Sequence, residues 1–271
     1  MSVRIEKNGP VWTVIHDRPE ARNAMDPDSA DAVTEAFLEF DAAKDAHVAV
    51  FWGAGGAFCA GWDLKYVSTL HADTPLGELD IPPAGPRING GEIPRGPLGP
   101  SRLELDKPVI AAIEGPAVAG GMELGLWCDF RVMAETAYFG VYCRRWGVPL
   151  IDGGTVRLPR IVGQGRALEI ILTGRKVPAE ECHRIGLCEY VTPHGGAREK
   201  AEQIAQEIAR FPQVCVRADR RSAIKSHGLT VRDALIQEWY NGREALIKDG
   251  VAGATRFKDG LGRHGDFKTI W

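Results

Sequence analysis

Asp106-Lys-Pro-Val-Ile-Ala-Ala-Ile-Glu-Gly-Pro-Ala-Val-Ala-Gly-Gly-Met-Glu-Leu-Gly-Leu-Trp-Cys-Asp129 is the stretch whose reading decides the fold. An apolar run from Val109 to Ile113 reads as a buried strand, and it gives way to a glycine-rich turn that opens a helix. The helix carries one acidic residue, Glu123, among Met122, Leu124, Leu126 and Trp127. The first amides of a helix have no partner inside it, so a carboxylate one turn on puts a proton acceptor beside a ready-made anion site. That pairing suits chemistry in which negative charge develops on an oxygen. An exposed helix glutamate is the plainer reading of Glu123, and its apolar neighbours argue against it.

Outward from this stretch, strands and helices mix in the first half of the chain and helices fill the last third. Val11–Ile15 alternates as a strand does, and Val48–Gly53 reads as a second buried strand ending in glycines. Between them Asp28 or Ser29 is expected to cap a helix that places Val33, Phe37 and Phe40 on one face. Residues 71–100 are dense in proline and glycine and read as a long loop, a lid or mobile segment. Phe130–Ala134 is a further buried strand, and Arg157–Leu172, Glu199–Phe211 and Val231–Lys248 are helical. The glycine-rich tail holds Arg256, Phe257, Lys258, Arg263 and Lys268. The fold class is therefore α/β, with a core over residues 1–195 and a helical C-terminal region over 196–271.

Bulk properties exclude several classes. The 33 basic residues against 36 acidic ones leave a net charge of −3, which argues against nucleic acid or an anionic membrane as the main partner. Cysteines 59, 128, 143, 182, 188 and 215 show no CxxC pair and no metal-ligand spacing, so they read as reduced thiols of a cytoplasmic protein with no metal site. The first residues, Met-Ser-Val-Arg-Ile-Glu-Lys, do not read as a signal peptide, and the uncharged stretch Val48 to Trp62 is too short and glycine-rich to span a bilayer. The seven histidines are scattered, without HxxxH spacing.

Two glycine-rich turns follow two strands. The first, Gly53-Ala-Gly-Gly-Ala-Phe-Cys-Ala-Gly-Trp-Asp-Leu64, approaches a dinucleotide fingerprint, but Phe58 stands in place of the last glycine and no ribose-binding acid follows. A Walker lysine with its Ser/Thr is absent as well. Two readings remain: tight turns packed closely backbone to backbone, or two sources of amide N–H converging on one point.

Ordered motifs along nearly the whole chain resemble the crotonase superfamily, which includes enoyl-CoA hydratases and isomerases. Arg18-Pro-Glu-Ala-Arg-Asn-Ala-Met25 is similar to its CoA-contacting segment, and Ala57-Phe-Cys-Ala-Gly-Trp-Asp-Leu64 to its first oxyanion segment. Asp106 to Asp129 resembles the second oxyanion segment. Leu172-Thr-Gly-Arg175, Gly186-Leu-Cys-Glu-Tyr-Val191 and Arg256-Phe-Lys258 resemble its C-terminal portion. The resemblance implies a spiral of repeated ββα units, assembly into a homotrimer or hexamer through the C-terminal helices, and an acyl-CoA substrate. Coenzyme A then arrives as part of the substrate, with no covalently bound cofactor.

Carried over by position, the resemblance implies that the amides of Trp62 and Gly120 stabilise a thioester enolate and that Glu123 is one of two catalytic carboxylates. It implies CoA contacts from Arg22, Asn23, Ala24, Ala60, Asp63, Leu64, Phe257 and Lys258. The second carboxylate is missing: Phe139-Gly-Val-Tyr-Cys143 puts Cys143 where family hydratases carry an acid. A thiol of ordinary pKa is a poor acid catalyst near neutrality, although Arg144 and Arg145 beside it could favour a thiolate nucleophile or hold a substrate carboxylate. Asp152 is the nearest substitute acid, or else the cap of the next helix, and Glu114 is a weaker candidate. Hydratase action is the first expectation and double-bond isomerisation the second. A thioester hydrolase or decarboxylase stays open, and a non-catalytic acyl-CoA-binding protein is the alternative of a different class.

Overall fold

The computed structural model describes residues 2–71, 73–81, 93–262 and 264. Strands β1 (Val3–Asn8), β2 (Val11–His16), β3 (Val48–Gly53), β4 (Val109–Ile113), β5 (Pro116–Val118), β6 (Phe130–Ala134), β7 (Tyr138–Gly140), β8 (Lys176–Pro178) and β9 (Tyr190–Thr192) form two sheets. The larger has the order β1-β2-β3-β4-β6-β9, antiparallel at β1–β2 and parallel elsewhere. The smaller has the order β5-β7-β8. The helices are α1 (Pro27–Ala42), α2 (Leu64–Val67), α3 (Gly120–Trp127), α4 (Gly154–Val162), α5 (Gln164–Thr173), α6 (Ala179–Arg184), α7 (Ala197–Ala209), α8 (Gln213–Lys225), α9 (Val231–Ala245) and α10 (Val251–Lys258).

The connectivity is a ββα spiral. In β4–β5–α3 and again in β6–β7–α4, the first strand joins the large sheet, the second joins the small one, and a helix follows. An isolated parallel bridge between Cys59 and Ala117 extends the small sheet by the segment after β3, which makes β3–Cys59–α2 a unit of the same kind. Every residue of β2 is buried, as are the apolar runs of β3 and β4, because helices cover both faces of the large sheet. On one face, α1 supplies Val33, Phe37 and Phe40; Phe37 meets Phe51 edge-on at 5.3 Å and Trp127 at 4.9 Å. On the other face, α7 supplies Ala201, Ile204 and Ala205. This helix starts past residue 195, the expected end of the core, yet it packs on the sheet.

Several segments depart in detail from the sequence reading. The cap of α1 is Asp26, not Asp28 or Ser29: its carboxylate accepts from Ser29 N at 2.9 Å, and Pro27 pre-sets the first helical residue. Arg157–Leu172 is two helices, parted at Gly163 with φ +80°. The stretch Val231–Lys248 leaves regular α-helix at a π-turn over Leu246–Gly250 before α10 begins. Helix α8 falls within the expected helical C-terminal region, where its charged sequence offered no bounds of its own; Arg220 pins it by a 2.9 Å ion pair with Asp129. Of residues 71–100, the described part holds a short 3-10 turn at Gly77–Leu79 and a buried Leu98. Residues 72 and 82–92, like Arg263 and Lys268 of the tail, lie outside the described residues.

Asn23 ties the first turns together. It is sealed in the interior with φ +55°, a conformation asparagine tolerates better than most residues. Its Oδ1 accepts from Arg18 N at 2.8 Å, and its Nδ2 donates to Ala54 O at 2.8 Å and Ala57 O at 2.7 Å. Asn23→Ala would strand these backbone groups in a buried turn, so chemical denaturation should show a loss of about 2–4 kcal/mol. An unchanged denaturation midpoint would show that water replaces the amide without cost.

Candidate active site

A cavity opens where the two glycine-rich turns meet α3 and the start of α4. Ala60, Trp62, Leu98, Gly120, Glu123 and Asp152 are among the residues that line it. The turns reach each other because they lack side chains there. A Cβ on Gly121 would lie 1.9 Å from Cys59 O, and one on Gly61, at φ +92°, would lie 2.9 Å from Gly120 N. The reading of these turns as closely packed backbone therefore holds: the chains meet where a Cβ would not fit.

The amide geometry is specific. Met25 bridges Trp62 as a parallel neighbour, its N donating to Gly61 O and its carbonyl accepting from Asp63 N, each at 2.8 Å. That pairing uses the groups on either side of Trp62 and turns the Trp62 N–H away. Gly120 N begins α3, where an intrahelical partner is impossible. Neither amide donates to an acceptor among the described residues. Ala119, just before the helix, is held at φ +54° and ψ −124°, a strained conformation for a residue with a Cβ, and it sets the direction of the helix start.

Glu123 is 2% exposed and points from α3 into the cavity wall. Its Oε1 accepts from Asp152 N at 2.9 Å and from Gly154 N at 2.8 Å. Oε2 has no protein donor among the described residues. Burial, and after it the nearby Asp152, raises Glu123 to about 7, against the pull of the two amides. A carboxylate tuned this way can take and return protons near neutrality.

Asp152 does not cap α4; Gly153 occupies the cap and supplies no side-chain bond. Its carboxyl instead turns back to the 98–101 turn, where Oδ1 accepts from Leu98 N at 3.1 Å and from the Ser101 hydroxyl. Its Oδ2 is buried without a partner, and burial raises the group from its ordinary value, against the pull of the Ser101 hydroxyl and the Leu98 amide. Cys143 also lines the cavity, but burial, then Glu123, pushes its thiol up, outweighing Arg144. The arginines therefore do not make it a thiolate. Glu114 is no active-site acid: it accepts from Gly195, Ala197 and Arg198 amides and so caps α7. His16 is buried in β2, and burial lowers it to about 4, so it is a neutral core residue.

The expected CoA-binding residues divide. Ala60 and Leu64 line the cavity, and Arg22 is exposed close by, its carbonyl accepting from Ala60 N at 3.1 Å. The Asn23 side chain is consumed by the backbone. Asp63 is consumed by a 2.8 Å ion pair with Arg18, whose guanidinium also donates to Ala24 O at 2.9 Å. Phe257 and Lys258 sit on α10 and do not line this cavity of their own chain. Sequence reasoning missed Ser101, Leu98 and Arg157, which hold Asp152 from either side; a lone serine in a proline-rich stretch gives no signal of such a role. Among the described residues, no His, Cys, Asp and Glu cluster could hold a metal ion. No helix among them is long and apolar enough to cross a membrane.

Known proteins match the same segments. The family described as enoyl-CoA hydratase/isomerase matches residues 6–76 and 101–243. An enoyl-CoA hydratase of Mycobacterium tuberculosis is 32% identical over 252 residues, covering 90% of this chain and 88% of the relative. A carnitinyl-CoA dehydratase of Salmonella typhi is 34% identical over 258 residues, covering 92% and 87%. The crystal structure of an enoyl-CoA hydratase from Mycobacterium marinum superposes with a TM-score of 0.84 at 29% identity, covering 95% of this chain and 96% of that one. One from Bacillus anthracis superposes at 0.81, also at 29% identity, covering 96% of each chain. In sequence and in its spiral of ββα units, this chain belongs to the enoyl-CoA hydratase/isomerase family and has the crotonase fold.

Proposed function

We propose that the protein is an enoyl-CoA hydratase-like enzyme that holds a CoA thioester with its carbonyl oxygen between the Trp62 and Gly120 amides and its β-carbon before Glu123. The observation that carries this reading is the division of Glu123, with Oε1 bound by two amides and Oε2 left for chemistry. In hydration, the oxygen of water bonds to the β-carbon while its proton passes to Oε2. The π pair moves toward the thioester, which becomes an enolate with its charge on oxygen. Two preorganised amides lower the energy of that charge, and loss of one such donor in other enzymes costs roughly 3–4 kcal/mol. The enolate then takes a proton at the α-carbon and returns to a thioester, giving a 3-hydroxyacyl product.

Cys143 supports a second reading. With a neutral thiol in the place of the second acid, one base that lifts a proton from one carbon and returns it to another suffices, as in double-bond isomerisation. Turnover of 2-enoyl-CoA supports hydration, and turnover of 3-enoyl-CoA alone supports isomerisation. Thioester binding without any turnover would leave an acyl-CoA-binding protein.

For the assembly we propose a homotrimer, or a hexamer of paired trimers. Helices α8 to α10 expose Ile224, Trp239, Tyr240, Ile247, Val251 and Phe257, a large apolar surface for a lone chain. A second copy packed there would also bring Phe257 and Lys258 to a neighbour's CoA. Light scattering should give at least three times the chain mass, and a stable monomer would count against it.

Glu123→Gln keeps the acceptor for both amides and removes the base. Hydration of 2-enoyl-CoA should fall by about 100-fold or more with little change in KM. A variant that hydrates undiminished would remove Glu123 from the mechanism. In the wild type the base is protonated below about 7, so activity should rise with pH through that value. Stability should run the other way. The folded protein holds the Glu123 proton up to about 7 whereas the unfolded chain releases it near 4.5, so this group's contribution is lost as pH rises between them. Thermal scans should therefore show Glu123→Gln gaining on the wild type from pH 5 to pH 8, by at most about 3 kcal/mol. A constant difference across that range would mean that Glu123 ionises as freely as in water.

A further inference from the structure

Leu98 lines the cavity although only 2% of its surface is exposed. Its side chain packs against Gly120: a Cβ on that glycine would stand 2.6 Å from Leu98 Cγ. Glu123 follows Gly120 by one turn of α3, so Leu98 stands beside the space between the helix start and the base. That space is small, about 80 Å³. Since a cavity of about 150 Å³ takes benzene, it has room for about three heavy atoms.

Leu98 is not free to step aside. It sits in a turn closed by two hydrogen bonds, Gly96 N to Gly99 O and Gly99 N to Gly96 O, each of 2.9 Å. Its own amide donates to Asp152 Oδ1 at 3.1 Å, and the same oxygen accepts from the Ser101 hydroxyl. Arg157 draws the Ser101 and Asp152 carbonyls together, donating to them at 2.7 and 2.9 Å. Behind the turn lies α1: a Cβ on Gly99, at φ +79°, would meet Ala30 O at 2.7 Å. Arg95 adds an ion pair with Asp31 of the same helix. Asp152 and Ser101 are buried, so bulk water does not compete for their bonds. Trp146 is the contrast: it lines the same cavity but is 69% exposed, with room to swing outward.

We infer that Leu98, held in place by Asp152 and Ser101, is the fixed end wall of the acyl pocket and restricts the enzyme to short 2-enoyl thioesters, with butenoyl-CoA the best fit. The assignment rests on the thioester reading above. With the carbonyl oxygen at the Trp62 and Gly120 amides and the β-carbon before Glu123, the α-, β- and γ-carbons of a butenoyl group fill the space. A longer chain presses on Leu98, and the anchored turn behind it does not yield. Asp152 is then a positioning residue twice over. Its carboxyl fixes the wall through Leu98 N and Ser101, and its amide fixes the carboxylate of Glu123. The place where the substrate ends and the place where the base stands are thereby set by one residue.

The test offers the full-length protein the butenoyl, hexenoyl, octenoyl and decenoyl thioesters of CoA and reads kcat/KM for each, with circular dichroism as the check on folding. The wild type should lose about 10-fold or more between butenoyl and octenoyl, since a pocket that cannot seat one more methylene already discriminates about 10-fold. Leu98→Ala opens the wall and should raise the octenoyl-to-butenoyl ratio by about 10-fold or more. Asp152→Ala releases the turn and should raise the same ratio, whereas Asp152→Asn keeps an acceptor for Leu98 N and Ser101 and should leave it within about threefold of the wild type. The ratio is internal to each variant, so a change in the base or in the folded fraction, which touches every chain length alike, cancels. A wild type that hydrates octenoyl-CoA as well as butenoyl-CoA overturns the assignment alone, as does Leu98→Ala with the wild-type ratio. An Asp152→Asn ratio that moves as far as that of Asp152→Ala overturns the anchoring role of the carboxyl. A wild type that hydrates none of the four overturns the hydratase reading and this assignment together.

Discussion

Two backbone amides, those of Asp152 and Gly154, close on a single oxygen of Glu123. This clamp joins α3 to the start of α4, the helices of successive ββα units, and the cavity lies along the join. It orients the carboxylate without neutralising it, since amides donate but carry no net charge. A lysine or arginine in the same place would hold Glu123 ionised and well below neutrality, and so make it a weaker base. Burial works against the amides and wins, so the carboxylate is fixed in space yet ready to change its proton.

The clamp also explains why backbone, more than side chain, builds this site. Gly61, Gly120 and Gly121 let neighbouring turns come within contact distance, and Ala119 accepts a strained conformation to aim the helix start. The amides so exposed belong to whichever residue stands at the position, which is how a bulky Trp62 is compatible with a donor role. Its side chain is then free to shape the wall.

Much of this was legible in sequence. The strands Val48–Gly53, Val109–Ile113 and Phe130–Ala134 were read to the residue because both faces are covered and the runs are continuously apolar. The three-residue strands β5, β7 and β8 are too short to show any period, so the small sheet was invisible. Helix α8 buries only Ala218 and hides behind its charges. At the site, Glu123 stood out as an acid among apolar residues, and Cys143 as a misfit at a known position. The fates of Glu114, Asn23 and Asp152 could not be read, because each is settled by partners remote in sequence: an 81-residue span for Glu114 to Gly195, and a 51-residue span for Asp152 to Ser101. Local pattern says what a residue can do, and only the fold says which neighbour claims it.

Cys143 and Asp152 border one cavity from opposite ends of a single loop. The far end of that loop runs into the start of α4, whose Asp152 and Gly154 amides hold Glu123. A change in the loop's length or backbone at its Cys143 end is therefore felt by the carboxylate at the other: the loop is a spacer as well as a wall.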